Sequence, residues 1–108
     1  MTDFNDRERA EEAKFAMDAD TAFRVAARRN RLLGHWAAAK MNLTPEETEA
    51  YGKAVVQADF EEAGDEDVIR KVLGDLTAAG VDIDEQRIRE ALGHKQVEAR
   101  RQLIESMD

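Results

Sequence analysis

Two histidines and one dense run of acids are the side chains in this chain that could support acid–base or metal chemistry. His35 stands beside Trp36, and we expect it to be packed or at the surface; His94 lies in a polar run and is predicted to be solvated. The chain has no cysteine, hence no thiol nucleophile and no thiolate metal ligand, and it has no glycine-rich phosphate loop. These residues predict a protein that is not an enzyme and that holds no cofactor.

The acidic run between residues 59 and 67 lacks the alternating ligands and the glycine placement of a calcium loop. It is typical instead of the end of one helix and the capped start of the next, where carboxylates favour the positive end of the helix dipole. We therefore predict no metal site at these acids, which are Asp59, Glu61, Glu62, Asp65, Glu66 and Asp67.

The composition favours helices in a single domain. The chain has 108 residues, of which 37% are charged and 43% hydrophobic, with one proline. Alanine, glutamate, arginine, aspartate and leucine dominate, whereas the residues that favour strands are sparse. The formal net charge of −8 argues against a DNA-binding protein, because phosphate binding needs a basic surface. No apolar run approaches the roughly 18 residues of a membrane-spanning helix, so we expect a cytoplasmic protein without membrane insertion.

The fold class predicted from the periodicity is all-α, a four-helix bundle-like domain with a long first helix. Thr44, Pro45 and Glu47 form the clearest helix start, and Asp65 and Asp84 are the predicted caps of the last two helices. We expect close helix packing to explain the four glycines inside the predicted helices, with a kink as the alternative at Gly34. These glycines are Gly34, Gly52, Gly74 and Gly93. The predicted helices span about residues 5–40, 45–62, 66–79 and 84–106.

Apolar side chains recur along one face of each predicted helix. Phe23, Leu32 and Trp36 widen the face of the first helix, and Val97 and Ile104 flank that of the fourth. A four-helix core would bury these apolar faces completely and leave none for a second copy of the chain, so we expect a monomer. The residues at the centres of the faces are Phe15, Ala19, Ala22, Ala26, Leu33, Ala37, Ala50, Tyr51, Ala54, Val55, Ala58, Val68, Ile69, Val72, Leu73, Leu76, Ile88, Leu92, Ala99 and Leu103.

The first 14 residues form an arm with no such face. From Asp3 to Lys14 the only large apolar side chain is Phe4, although residue types that favour helices are plentiful. Charge pairs such as Asp3 with Arg7 contribute only about 0.2–0.5 kcal/mol each, too little to hold a helix. We predict a flexible arm over residues 1–14 that a partner could order, and a four-helix domain over 15–108. The alternative is a solvated helix start with no function.

Charge is unevenly spread after the arm. Residues 24–40 contain five bases and no acid, whereas residues 46–67 contain nine acids and one lysine. Either the two segments lie together and offset each other, or one of them faces a partner. A helical adaptor could bind another protein or RNA through the basic segment, although Trp36 is better placed for the core than for base stacking. The candidate residues of this second surface are Arg24, Arg28, Arg29 and Arg31.

Several segments resemble a known family when they are taken together and in order. They are FNDRERAEEAKFA, RRNRLLGHWAA, AYGKAVVQADFEEAGDEDVIRKV and the closing IREAL and EARRQLIE. In this combination they resemble the zeta subunit of alphaproteobacterial F-type ATP synthases, over nearly the whole chain.

The resemblance implies a four-helix regulator whose N-terminal segment is mobile in isolation. That segment would insert at a catalytic interface between the alpha and beta subunits and reach toward the gamma subunit, blocking ATP hydrolysis. The protein would then be peripheral to the inner membrane through the ATP synthase head. The arm residues to which the resemblance assigns partner binding are Phe4, Arg7, Glu8, Arg9, Glu11, Lys14 and Phe15.

Overall fold

The structure, a computed structural model, describes residues 19–59 and 64–106. These residues form helices and connections, with no strand in either range. The all-α fold with four helices is confirmed, while the predicted start of the first helix near residue 5 lies outside the described residues. The helices are α1 (Ala19–Lys40), α2 (Pro45–Ala58), α3 (Glu66–Ala78) and α4 (Glu85–Ser106).

Helix α1 is the element against which the others assemble, since it packs against α2, α3 and α4. It ends at Lys40 as predicted. The chain then turns through Asn42, whose φ of 58° lies in the left-handed region that asparagine tolerates better than most residues. This turn allows α2 to return along α1.

A reciprocal pair of hydrogen bonds fixes the start of α2. The Glu47 amide donates to Thr44 Oγ1 at 3.1 Å, and the Thr44 amide donates to Glu47 Oε1 at 2.8 Å. The bonds from Thr44 to the carboxylate lower the pKa of Glu47. With Pro45 at the first helical position, the predicted capping box is confirmed.

The C-terminal end of α2 and the N-terminal cap of α3 differ from the prediction. Helix α2 ends at Ala58 rather than at residue 62, and the Asp59 amide closes it by donating to the Val56 carbonyl at 3.3 Å. Asp65 precedes α3, but its side chain makes no capping bond. That predicted cap is wrong because the carboxylate of Asp65 pairs with Arg29 of α1 instead.

The start of α4 follows the prediction more closely. Asp84 Oδ1 accepts a hydrogen bond from the Arg87 amide at 2.9 Å, which confirms Asp84 as the cap. Ile83, just before it, packs against the core cluster that contains Ile88.

The core joins all four helices. Its main cluster is centred on Leu33, Val55, Val72, Leu76 and Ile88, which are fully buried. A smaller cluster near the other end of α1 is formed by side chains from α1 and α4. All buried apolar residues of the described chain come from positions between 25 and 103. The members of the smaller cluster are Val25, Ala99 and Leu103.

Six apolar residues assigned to the core lie at the surface. Phe23 is 52% exposed, Val97 68% and Ile104 45%. Three alanines are also exposed, Ala19 and Ala22 of α1 and Ala50 of α2. The inward positions of the first half of α1 are taken by Val25 and its neighbours, which turns Phe23 away. Trp36, by contrast, packs against the main cluster as expected.

Two glycines set the closest approach of α1 and α2. A Cβ placed on Gly34 would lie 2.8 Å from Gly52 Cα and 3.3 Å from a methyl group of Val55. The close-packing explanation is therefore confirmed for Gly34 and Gly52. It is wrong for Gly74 and Gly93, where an added Cβ would meet no atom within 4 Å.

The glycine contact predicts opposite effects for two identical substitutions. Gly34→Ala forces α1 away from α2 and should lower the free energy of unfolding by about 1–3 kcal/mol. Gly74→Ala meets open space in a helix interior and should raise it by about 1 kcal/mol. Urea unfolding followed by circular dichroism measures both values, and an equal effect of the two substitutions would contradict the assigned contact.

Tyr51 links α2 to α3 through one carboxylate. Its hydroxyl donates to Asp75 Oδ2 at 2.8 Å, and Lys71 Nζ donates to the same oxygen at 3.1 Å. Burial, followed by the contact with Asp75, raises the pKa of Tyr51 well above its usual range. The folded protein therefore holds the phenol protonated at pH values where the unfolded chain releases the proton.

This link predicts a loss of stability at alkaline pH. An unfolded tyrosine ionises near pH 10, so above that pH the unfolded state gains up to about 1.4 kcal/mol per pH unit from Tyr51. Unfolding free energies measured from about pH 9 to 11 should fall more steeply for the natural chain than for Tyr51→Phe. Tyr51 is the chain's only tyrosine, so no second phenol contributes. If the unfolding free energies of the two proteins fall in parallel with pH, the contribution assigned to the Tyr51 phenol is wrong.

Candidate partner-binding surfaces

The arm residues predicted to bind a partner lie outside the described residues, which begin at Ala19. Their assignment therefore stays a prediction. In the sequence the arm precedes α1, the helix that contacts every other helix of the described chain. The residues concerned are Phe4, Arg7, Glu8, Arg9, Glu11, Lys14 and Phe15.

The basic segment of α1 divides into surface and buried side chains. Arg24 pairs with Asp20 at 3.1 Å, and its side chain is 66% exposed. Arg31 is 54% exposed and donates to Glu49 Oε2 at 2.7 Å. Arg28 is half-buried, and its guanidinium lies 3.4 Å from Gln102 Oε1 on α4. These three residues share an outer side of α1, whereas Arg29 does not join them.

Arg29 is 8% exposed and connects three parts of the fold. Its Nη2 lies 3.0 Å from Asp65 Oδ1 and 3.8 Å from Asp59 Oδ2, on the two sides of the α2–α3 connection. Its Nη1 donates to Gln96 Oε1 of α4 at 3.3 Å, and its Nε donates to the buried Asn30 at 3.0 Å. Sequence reasoning placed Arg29 on a partner surface, but the structure places it inside the bundle.

Of the acids between residues 59 and 67, the four that the structure describes also face bases of this chain, whereas Glu61 and Glu62 lie outside the described residues. Arg89 of α4 contacts both carboxylate oxygens of Glu66, the shorter distance being 2.7 Å, and this bond lowers the pKa of Glu66. Asp67, 8% exposed, accepts from Arg70 at 3.0 Å. Together with the contacts of Arg29 and Arg31, these pairs show that the basic and acidic segments lie together and offset each other.

His35 lies at the contact between α1 and α2. Its Nε2 is 3.2 Å from Glu49 Oε1 without forming a hydrogen bond, and its ring edge would lie 3.0 Å from a Cβ on Gly52. Glu49 is already bound by Arg31, and this bond is the main cause of its lowered pKa. His35 thus packs at a helix contact, while His94 of α4 is exposed.

Within residues 19–59 and 64–106, no three histidine, aspartate or glutamate side chains converge as metal ligands would. No helix in those ranges combines the length and apolarity that crossing a membrane requires.

Comparison with protein families identifies the chain. The family model for ATPase inhibitor subunit zeta matches residues 1–102. The chain belongs to this family. The match confirms the resemblance seen in the sequence, and it covers the arm as well as the four helices of the zeta-family body. Among curated proteins, none matches the chain.

A solved structure supports the zeta-family fold. A protein whose structure was determined by solution NMR is 43% identical to this chain and superimposes with a TM-score of 0.70. The comparison covers 78% of this chain and 95% of that protein. The helical body described above is therefore similar to one determined experimentally.

Substitution of the buried Arg29 and of the exposed Arg24 should affect the stability of the protein unequally. Arg29→Ala removes bonds to α4 and to both sides of the α2–α3 connection, and should cost about 1–3 kcal/mol of unfolding free energy. The cost should be smaller than that of breaking a fully buried ion pair, because the Asp65 side chain is 47% exposed and water can solvate its carboxylate once Arg29 is gone. Arg24→Ala loses only an exposed pair and should cost less than about 0.5 kcal/mol. Urea unfolding compares the two, and equal costs would contradict the buried network.

Proposed function

We propose that this chain inhibits ATP hydrolysis by an F-type ATP synthase, inserting its N-terminal arm at a catalytic interface between alpha and beta subunits. The observation that carries this proposal is the family match, which begins at residue 1 and so includes the arm. The protein would act as a regulator without catalytic chemistry of its own. Its place would be the cytoplasmic head of the synthase, peripheral to the inner membrane.

The architecture of the body supports a separate role for the arm. All buried apolar side chains of the described residues lie between Val25 and Leu103. Within the part of the chain that the structure describes, the buried apolar groups thus begin well after residue 14. We expect residues 15–108 to keep their fold when the arm is removed, which leaves the arm's side chains to a partner.

The chemistry of the arm suits a cleft between two subunits. Phe4 supplies an apolar anchor, and Phe15 a second one where the arm meets the domain. Arg7, Arg9 and Lys14 would pair with acids of the partner. Glu8 and Glu11 would pair with its bases, so the arm can be held on both sides.

Binding of this kind inhibits by selecting one state. A catalytic interface opens and closes during rotation, and an arm that fits a single conformation shifts the population toward it. The cycle then stalls at that conformation. The inserted arm would also reach toward the gamma subunit, which drives the conformational change.

The alternative of an RNA-binding adaptor receives less support from the same structure. Trp36 packs against the core and Arg29 is buried, so neither is presented to a nucleic acid. The basic segment also has acids of this chain as neighbours. The inhibitor remains the function that the observations support best.

Removal of the arm tests the proposal. An alphaproteobacterial ATP synthase head stripped of its own inhibitor would be titrated with the full chain and with a shortened protein that begins at Phe15. We expect the full chain to inhibit ATP hydrolysis and the shortened protein to lose at least about tenfold in potency, since the anchor at Phe4 and its charged neighbours are gone.

Circular dichroism and urea unfolding of the shortened protein provide the control for folding. If the shortened protein is folded and inhibits as well as the full chain, the arm is not the effector. If the full chain does not inhibit while a known zeta subunit does, the proposed function is wrong.

A further inference from the structure

We draw no further inference here: the strongest candidate, the outward face of α4 formed by Gly93, where an added Cβ would meet no atom within 4 Å, and by Val97 and Ile104, which are 68% and 45% exposed, carries none because nothing in the described part of the chain shows which partner would cover this apolar surface.

Discussion

The guanidinium of Arg29 is the interaction on which the arrangement of the four helices depends. A buried charge costs several kcal/mol unless it is paired, so the chain must bring acceptors to it. Asp59 and Asp65 supply carboxylates from the two sides of the α2–α3 connection, and Gln96 supplies an oxygen from α4. The same pairing explains why the side chain of Asp65 does not cap α3.

Helix α1 consequently has two different sides. One side carries Leu33 and Ala37 into the core and brings Gly34 against Gly52, which fixes α2 at close range. The other side carries Phe23, Arg24 and Arg31, which are exposed.

The sequence correctly predicted the features that depend on residues close to one another in the chain. The capping box at Thr44 and the stripes of α3 depend on residues within one or two turns, and both were predicted. The predicted cap at Asp65 is wrong because its carboxylate pairs with Arg29, which is distant in the sequence. The exposure of Phe23 was missed because packing of Val25 against Ala99 and Leu103 of α4 decides which side of α1 turns inward. The spacing Val25, Arg29, Leu33, Ala37 places Arg29 on the apolar side of α1, a signal that could have revealed its burial. Nothing local shows that Gly74 faces open space whereas Gly34 faces a helix.

Site-specific crosslinking from the arm tests the central claim most directly. The chain has no cysteine, so a photoreactive group on Ala10→Cys, an arm position not assigned to partner binding, is the sole attachment point, and one on the exposed Glu105→Cys is the control. During ATP hydrolysis by the purified head, we expect crosslinks from position 10 to the alpha and beta subunits at their catalytic interface. Position 105 should give none at that interface. The same products from both positions, or a position 10 that reacts only with the outer surface of the head, would contradict insertion of the arm.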